Sequence, residues 1–183
     1  MPERHQQLGC HRSTPTSTIT SFTASVSREA NGGLRFRYVL HGDIARLVLP
    51  APATPRHTDE LWRHSCFETF ITTEDDPAYV ECNFAPSGAW ATYGFDRYRK
   101  GMAAIAPDAT PRITLQTAPD GLVLEARLKL SQFVGQPLRI GLTAVIEDKA
   151  GLSYWALRHP KSRPDFHHRG GFILRLAATQ VLA

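Results

Sequence analysis

Apolar residues recur at every second position in four separate stretches of this chain. Leu34, Phe36, Tyr38 and Leu40 alternate with Arg35, Arg37 and His41, and Leu122, Leu124, Ala126, Leu128 and Leu130 alternate with Glu125, Arg127 and Lys129. Ile140, Leu142, Ala144 and Ile146 form a third row, and Phe172, Leu174 and Leu176 a last one. A period of two is that of a strand with one buried and one wet face. Asn31-Gly32-Gly33 and Asp120-Gly121 supply turns ahead of the first two rows, because Gly and Asn tolerate the backbone angles that tight turns require. Ile44 to Leu49 is expected to be a shorter strand closed by Pro50.

The middle of the chain predicts consecutive hairpins. Cys66 to Thr72 runs out, Glu74-Asp75-Asp76-Pro77 turns, and Tyr79 to Phe84 returns. Pro86-Ser87-Gly88 turns again into a strand over Ala89 to Asp96. About ten strands result, with only a helical turn expected near Ser131 to Val134. Many short strands punctuated by Gly and Pro point to an all-β sandwich or barrel. With 183 residues, one domain with a real core is expected. Residues 1–20, polar and rich in Ser and Thr, are expected to form a flexible arm, and residues 21–183 the β domain.

Composition narrows the function classes. The net charge of +4 is spread along the chain, and no run of five or more Lys or Arg occurs, so nucleic acid is not implied. No apolar stretch is long enough to span a membrane as a helix. The N-terminal residues lack the apolar middle region of an export signal, so a cytoplasmic location is expected. Cys10, Cys66 and Cys82 cannot all pair within one chain and no C-x-x-C is present, so free thiols are expected; in a secreted protein Cys66 and Cys82 would be the pair to test. His167 and His168 are adjacent, and neighbours on an extended chain point opposite ways, so no metal site is expected. No nucleophile elbow, P-loop or dinucleotide fingerprint is present, and no catalytic residue is assigned.

The segment Trp62-Arg63-His64-Ser65-Cys66-Phe67-Glu68-Thr69-Phe70 is the most unusual. Alternation places Cys66, Glu68 and Phe70 on one strand face. A carboxylate among apolar neighbours is costly to bury unless it is paired. Two readings remain open: Glu68 points into a concave site and accepts hydroxyl hydrogen bonds, or it pairs with an Arg of a neighbouring strand. Glu81 and Asn83 share a face of the next strand, either across from Glu68 or solvated. Trp90, Tyr93, Phe95 and Tyr98, with Asp96, Arg97, Arg99 and Lys100, fit a strand running out to a polar, aromatic rim. There Arg97 offers a forked donor to paired oxygens. The later stretch Arg163-Pro164-Asp165-Phe166-His167-His168-Arg169-Gly170-Gly171 is expected to be a loop, the usual seat of function.

Leu61-Trp62, then Cys66-Phe67-Glu68-Thr69-Phe70-Ile71, then Glu81-Cys82-Asn83-Phe84-Ala85-Pro86-Ser87-Gly88, and finally Arg163-Pro164-Asp165-Phe166-His167 before Gly171-Phe172, resemble the bacterial DOMON-like domains related to family 9 carbohydrate-binding modules. The resemblance runs from about residue 30 to the C-terminus. It implies a jelly-roll-like antiparallel β-sandwich in which two aromatic rings clamp a sugar and polar side chains fix its hydroxyls. Trp62 matches the first ring and Glu68 the acceptor near it. Phe166 is the nearest candidate for the second ring, with Trp155 the alternative.

The expected function is therefore non-catalytic binding of a saccharide or related polyhydroxylated ligand. Trp62, Phe166 or Trp155 would supply stacking, and Glu68, Asn83, Arg97 and His167 would supply polar contacts. No cofactor is assigned. A haem-binding or redox domain on the same fold is an alternative, with Met102 and the histidines as the pool of axial ligands. A protein-interaction domain, forming for example a homodimer through Trp62 or the Tyr93 to Tyr98 segment, is another. An enzyme using Glu68 with Glu81 or a histidine would require a deep pocket and a strongly raised carboxyl pKa.

Overall fold

The alternating stretches are strands, and their apolar faces meet. The computed structural model describes residues 5–74 and 76–178. In chain order the strands are β1 (Gln6–Gln7), β2 (Gly9–Cys10), β3 (Ile19–Arg28), β4 (Leu34–Gly42), β5 (Cys66–Thr72), β6 (Tyr79–Phe84), β7 (Trp90–Phe95), β8 (Ala103–Ala104), β9 (Arg112–Ala118), β10 (Gly121–Leu128), β11 (Leu138–Asp148), β12 (Gly151–Ala156) and β13 (Leu174–Leu176). One sheet has the order β1-β3-β4-β10-β9; the other has the order β2-β12-β11-β5-β6-β7-β8, and β13 also pairs with β11. All pairings between these strands are antiparallel. The fold is an antiparallel β-sandwich.

The core lies between the sheets. Phe22, Phe36, Tyr38, Leu40, Leu122 and Leu124 from the first sheet bury against Phe67, Ile71, Phe84, Ile140, Leu142 and Ile146 from the second. Rings meet edge to face across this layer, with Tyr38 5.3 Å from Phe67 and Phe22 6.1 Å from it. The Tyr38 hydroxyl crosses the layer and donates to the backbone carbonyl of Glu68 at 2.6 Å. A fully buried phenol keeps a partner in this way.

The two sheets differ on their outer faces. On the first sheet the alternation holds: Arg35, Arg127, Glu125 and Glu29 face outward and form ion pairs. On the second sheet, every residue of β5 and β6 is buried. Phe70, Tyr79, Ala91, Tyr93, Phe95 and Phe172 make a second apolar cluster on its outer face, with Leu61, Trp62 and Phe166 packed against it. Loops cover this face, which is why these strands read as near-continuous apolar runs rather than clean alternation. Gly141 belongs to the same arrangement. A Cβ there would sit 2.8 Å from Cδ1 of Phe172, so the missing side chain lets that ring lie on β11.

Several expectations are corrected. Residues 5–20 do not form a free arm: β1 pairs with β3 and β2 with β12, and Leu8 and His11 are buried. Leu8 and Ile19 anchor this polar segment in the core. Ile44–Leu49 is not a strand; Ile44–Arg46 is a 3-10 turn, and Leu47 makes only an isolated bridge to Asp148. Phe172 leaves its expected row, so the last strand begins at Leu174. The turn expected at Glu74 to Pro77 includes Asp75, which lies outside the described residues. The 3-10 turn Ser131–Phe133 stands where a helical turn was expected.

Candidate functional site

The covering loops leave a cavity of about 370 Å³ on the outer face of the second sheet, lined by Trp62, Glu68, Glu81, Phe95, Arg99, Met102, Val145, Tyr154, Pro164, Phe166 and His167. Its floor is one pleat face. In register, Thr143 stands opposite Glu68, Glu68 opposite Asn83, Phe70 opposite Glu81, and Val145 opposite Tyr154. Side chains directly across a ladder share a face, so these strands bring both glutamates to one surface.

Each loop above the floor is tethered. The first carries the 3-10 turn Leu61–Arg63, entered through Glu60 at φ 60°. Tyr93 donates to Asp59 Oδ1 at 2.6 Å, and the Trp62 ring rests 5.9 Å from Tyr93 at 73°. The second is the turn after β7, where Arg99 has φ 53°. Its tightness depends on Gly101, at φ +70°, where a Cβ would collide with the Asp96 carboxylate. Left-handed backbone at a non-glycine residue is a local strain that surrounding contacts must hold. Here the Arg99 guanidinium pairs with Asp165 Oδ1 at 2.9 Å, while Tyr98 donates to Oδ2 of the same carboxylate at 2.6 Å. That double contact ties the second loop to the third, which carries Pro164, Phe166 and His167. Phe166 lies 5.9 Å from Tyr154.

The electrostatics of the floor are set by burial. Glu68 is 2% exposed and Glu81 is 5% exposed. Burial holds the Glu68 carboxyl well above the usual carboxylate range, and the Glu81 charge adds to the effect. Burial also pushes Glu81 up to about 7, opposed by a hydrogen bond from Asn83 and by the Arg99 charge. Desolvation penalises the ionised form, and a neighbouring like charge penalises it further. Asn83 Nδ2 donates to Glu81 Oε1 at 2.8 Å. Glu68 Oε1 and Asn83 Oδ1, both buried, have no hydrogen-bond partner among the described residues.

His167 sits among Phe70, Tyr79 and Phe95, with ring centroids 5.0 to 5.8 Å away. Tyr79 Oη accepts from the Arg99 backbone N–H at 3.1 Å and lies 2.8 Å from His167 Nδ1. The hydroxyl proton is thus free to be donated to Nδ1, which assigns the ring proton to Nε2 by the hydrogen-bond network. Nε2 faces Glu81 Oε2 at 3.6 Å, too long for a hydrogen bond. Burial, with the Arg99 charge, brings the His167 pKa down to about 4. At neutral pH this is a neutral imidazole beside a carboxyl rather than an ion pair. Nδ1 is thus engaged by Tyr79 and Nε2 is turned to Glu81, and Met102 lines the same cavity. No group of three or more His, Cys, Asp or Glu among the described residues could hold a metal ion.

Trp62, Glu68, Phe166 and His167 therefore converge on one cleft. Asn83 lies beneath it and orients Glu81 rather than lining the space. Arg97 is exposed, bridging Lys100 in the turn, and Trp155 faces the inter-sheet core. Trp155 packs 5.5 Å from Phe22 and donates from Nε1 to Ser153 Oγ at 3.0 Å. Successive strand residues point to opposite faces, so its neighbour Tyr154 takes the place in the cleft. Glu81, Phe95, Arg99, Met102, Val145, Tyr154 and Pro164 also line the cleft; the sequence places Phe95 and Arg99 only at an aromatic, polar rim and does not assign Tyr154 to the site. The alternation of Tyr79, Glu81 and Asn83 was a usable signal for Glu81. Cys66 and Cys82 cannot pair: alternation along the β5–β6 ladder puts Cys66 on the Glu68 face and Cys82 in the inter-sheet core.

No family model matches the chain, and no curated protein matches it. Solved structures do. A protein from Bacteroides uniformis, provisionally assigned to carbohydrate binding, matches with a TM-score of 0.69 at 14% identity, over 93% of this chain and 84% of that one. A family 9 carbohydrate-binding module from Caldicellulosiruptor kristjanssonii, solved with glucose and with cellotriose, matches with a TM-score of 0.49 at 16% identity. Those matches cover 83% of this chain and 74% and 72% of the module. At these identities the likeness is one of fold.

Proposed function

We propose that this chain is a non-catalytic saccharide-binding domain whose ligand enters the cleft over Glu68 and Glu81. The observation that carries the reading is the meeting of aromatic rings from separate elements, Trp62, Tyr154 and Phe166, with buried carboxyls in one cavity of about 370 Å³. That volume lies within the ~300–1,000 Å³ usual for small-molecule sites. Flat rings stack on the apolar C–H face of a sugar, while carboxyls and the Arg99 guanidinium bond its hydroxyls. The provisional assignment of the Bacteroides uniformis protein supports the same class. A DOMON-like relationship to family 9 modules is part of this proposal, resting on the motif from Trp62 to Gly88. Calorimetric titration with soluble monosaccharides and oligosaccharides tests it: a saturable heat that Trp62→Ala weakens is expected, and no heat from any of them refutes it.

One observation favours a second reading. Two neighbouring buried carboxyls, one with a pKa near 7, are what acid–base cleavage of a glycosidic bond requires. New reducing ends from oligosaccharides, lost in Glu81→Gln, would identify an enzyme; intact oligosaccharides recovered after binding support the binding reading.

A further inference from the structure

The cleft floor is unusual in what it lacks. Three carboxyls, Glu68, Glu81 and Asp165, border it or its rim. The Arg99 guanidinium is engaged with Asp165 at 2.9 Å, and His167 is held neutral among aromatic rings. Among the described residues Glu68 has no arginine partner; it is 2% exposed, and its Oε1 has no hydrogen-bond partner there. Asn83 stands directly across the ladder from Glu68 but donates to Glu81 instead, at 2.8 Å, so it does not relieve Glu68. An isolated buried carboxyl with an unmet acceptor is costly, and folds keep such groups where a ligand completes them.

The missing complement is a compact donor with positive charge. A sugar hydroxyl brings one O–H donor and no charge, whereas an ammonium brings three N–H donors and no acceptor. Hydroxyls can donate to both glutamates, but only the ammonium also brings the charge that stabilises their ionised form against burial and against each other. The walls suit the same group, since Trp62, Phe95, Tyr154 and Phe166 present rings around the acidic floor, and ring faces attract cations most strongly when water is excluded. A divalent metal ion does not fit: it needs several oxygen ligands, and the described residues form no such cluster.

We infer that the cleft selects a protonated primary amine carried on a sugar ring, the ammonium sitting between Glu68 and Glu81 and the ring stacking on the aromatic walls. The inference rests on the saccharide-binding reading and names the class of sugar within it. It also accounts for the paired acids without asking them to break a bond.

The test is calorimetric titration of the full chain at pH 7 with glucosamine, glucose, N-acetylglucosamine and cyclohexylamine, repeated on Glu68→Gln and Glu81→Gln. These variants keep side-chain shape, and thermal unfolding verifies that each is folded. Glucosamine is expected to bind at least tenfold more tightly than glucose or N-acetylglucosamine, with the ratio falling toward one in both variants. If glucose or N-acetylglucosamine binds as tightly as glucosamine, the amine inference fails and the saccharide reading stands. If cyclohexylamine binds and no sugar does, the saccharide reading fails and amine recognition alone remains. If none binds, both fail.

Discussion

Tyr79 Oη lies 2.8 Å from His167 Nδ1 and 3.1 Å from the Arg99 backbone nitrogen, so one phenol joins the strand floor to two of the three loops that roof the cleft. Removing it in Tyr79→Phe leaves an N–H and an imidazole nitrogen without their partner. A stability loss of about 1 kcal/mol follows. The donated hydrogen bond also favours the neutral imidazole, so its loss should move the His167 pKa upward from about 4. An NMR titration of the histidine rings measures this; an unchanged His167 would contradict the assigned network.

The floor carboxyls make stability depend on pH with a definite sign. Glu81 rises from an ordinary 4.5 to about 7 on folding, so the native state holds a proton that the unfolded state has lost. Its contribution is present below pH 4.5 and disappears as pH rises through 7. His167 moves the other way, from 6.5 to about 4, and its contribution grows as pH rises between those values. The two oppose each other up to about pH 6.5; above it only the carboxyls act. Stability is expected to fall from pH 6.5 to 8, with Glu81 accounting for about 1 kcal/mol of that fall; most of its contribution is already lost between pH 4.5 and 6.5. Urea unfolding at stepped pH should show a shallower fall in Glu81→Gln.

Glu68→Gln should separate stability from function. The amide keeps the shape, removes a buried ionisable group and offers a donor to Asn83 Oδ1. At pH 8 the variant is expected to gain about 1–2 kcal/mol, a rise of ~2–8 °C in Tm for a chain of this size, while losing affinity for ligand. Lower stability together with unchanged binding would show that Glu68 is only a structural residue.

Tyr154 and Trp155 are adjacent yet belong to different layers, and their alanine variants should differ accordingly. Trp155→Ala empties space beside Phe22 in the core and should cost about 3–5 kcal/mol. Tyr154→Ala removes a wall of the cleft and should cost about 1–2 kcal/mol while weakening binding. Thermal unfolding paired with titration distinguishes them.

The sandwich was legible because alternation in Leu34–Leu40, Leu122–Leu130 and Ile140–Ile146 marks an inner face without reference to anything distant. The site was legible only in part. Glu68 stood out because a carboxyl within an apolar strand demands an explanation, and Trp62 and Phe166 followed from the resemblance. Arg99 was one of several rim charges with nothing to single it out, since its place depends on a left-handed turn closed by Gly101. Arg97, two residues earlier, had the same chemistry and a different direction. Tyr154 and Trp155 were confused because both are aromatic and the phase of β12 is set by its ladder to β11. The burial of Asn83 and Glu81 was hidden for a similar reason: the loops that cover the outer face come from distant parts of the chain.

The most direct test of the account is the affinity of wild type and Trp62→Ala for a saccharide panel of glucose, glucosamine and cello-oligosaccharides, measured by isothermal titration calorimetry. Trp62 is half-buried in a loop, so its removal should cost only about 1–2 kcal/mol of stability, less than the ~3–5 kcal/mol of a core aromatic. Wild type is expected to bind at least one member of the panel, and Trp62→Ala to bind it at least tenfold more weakly while unfolding cooperatively. No binding by the wild type, or equal binding by a folded Trp62→Ala, would contradict it.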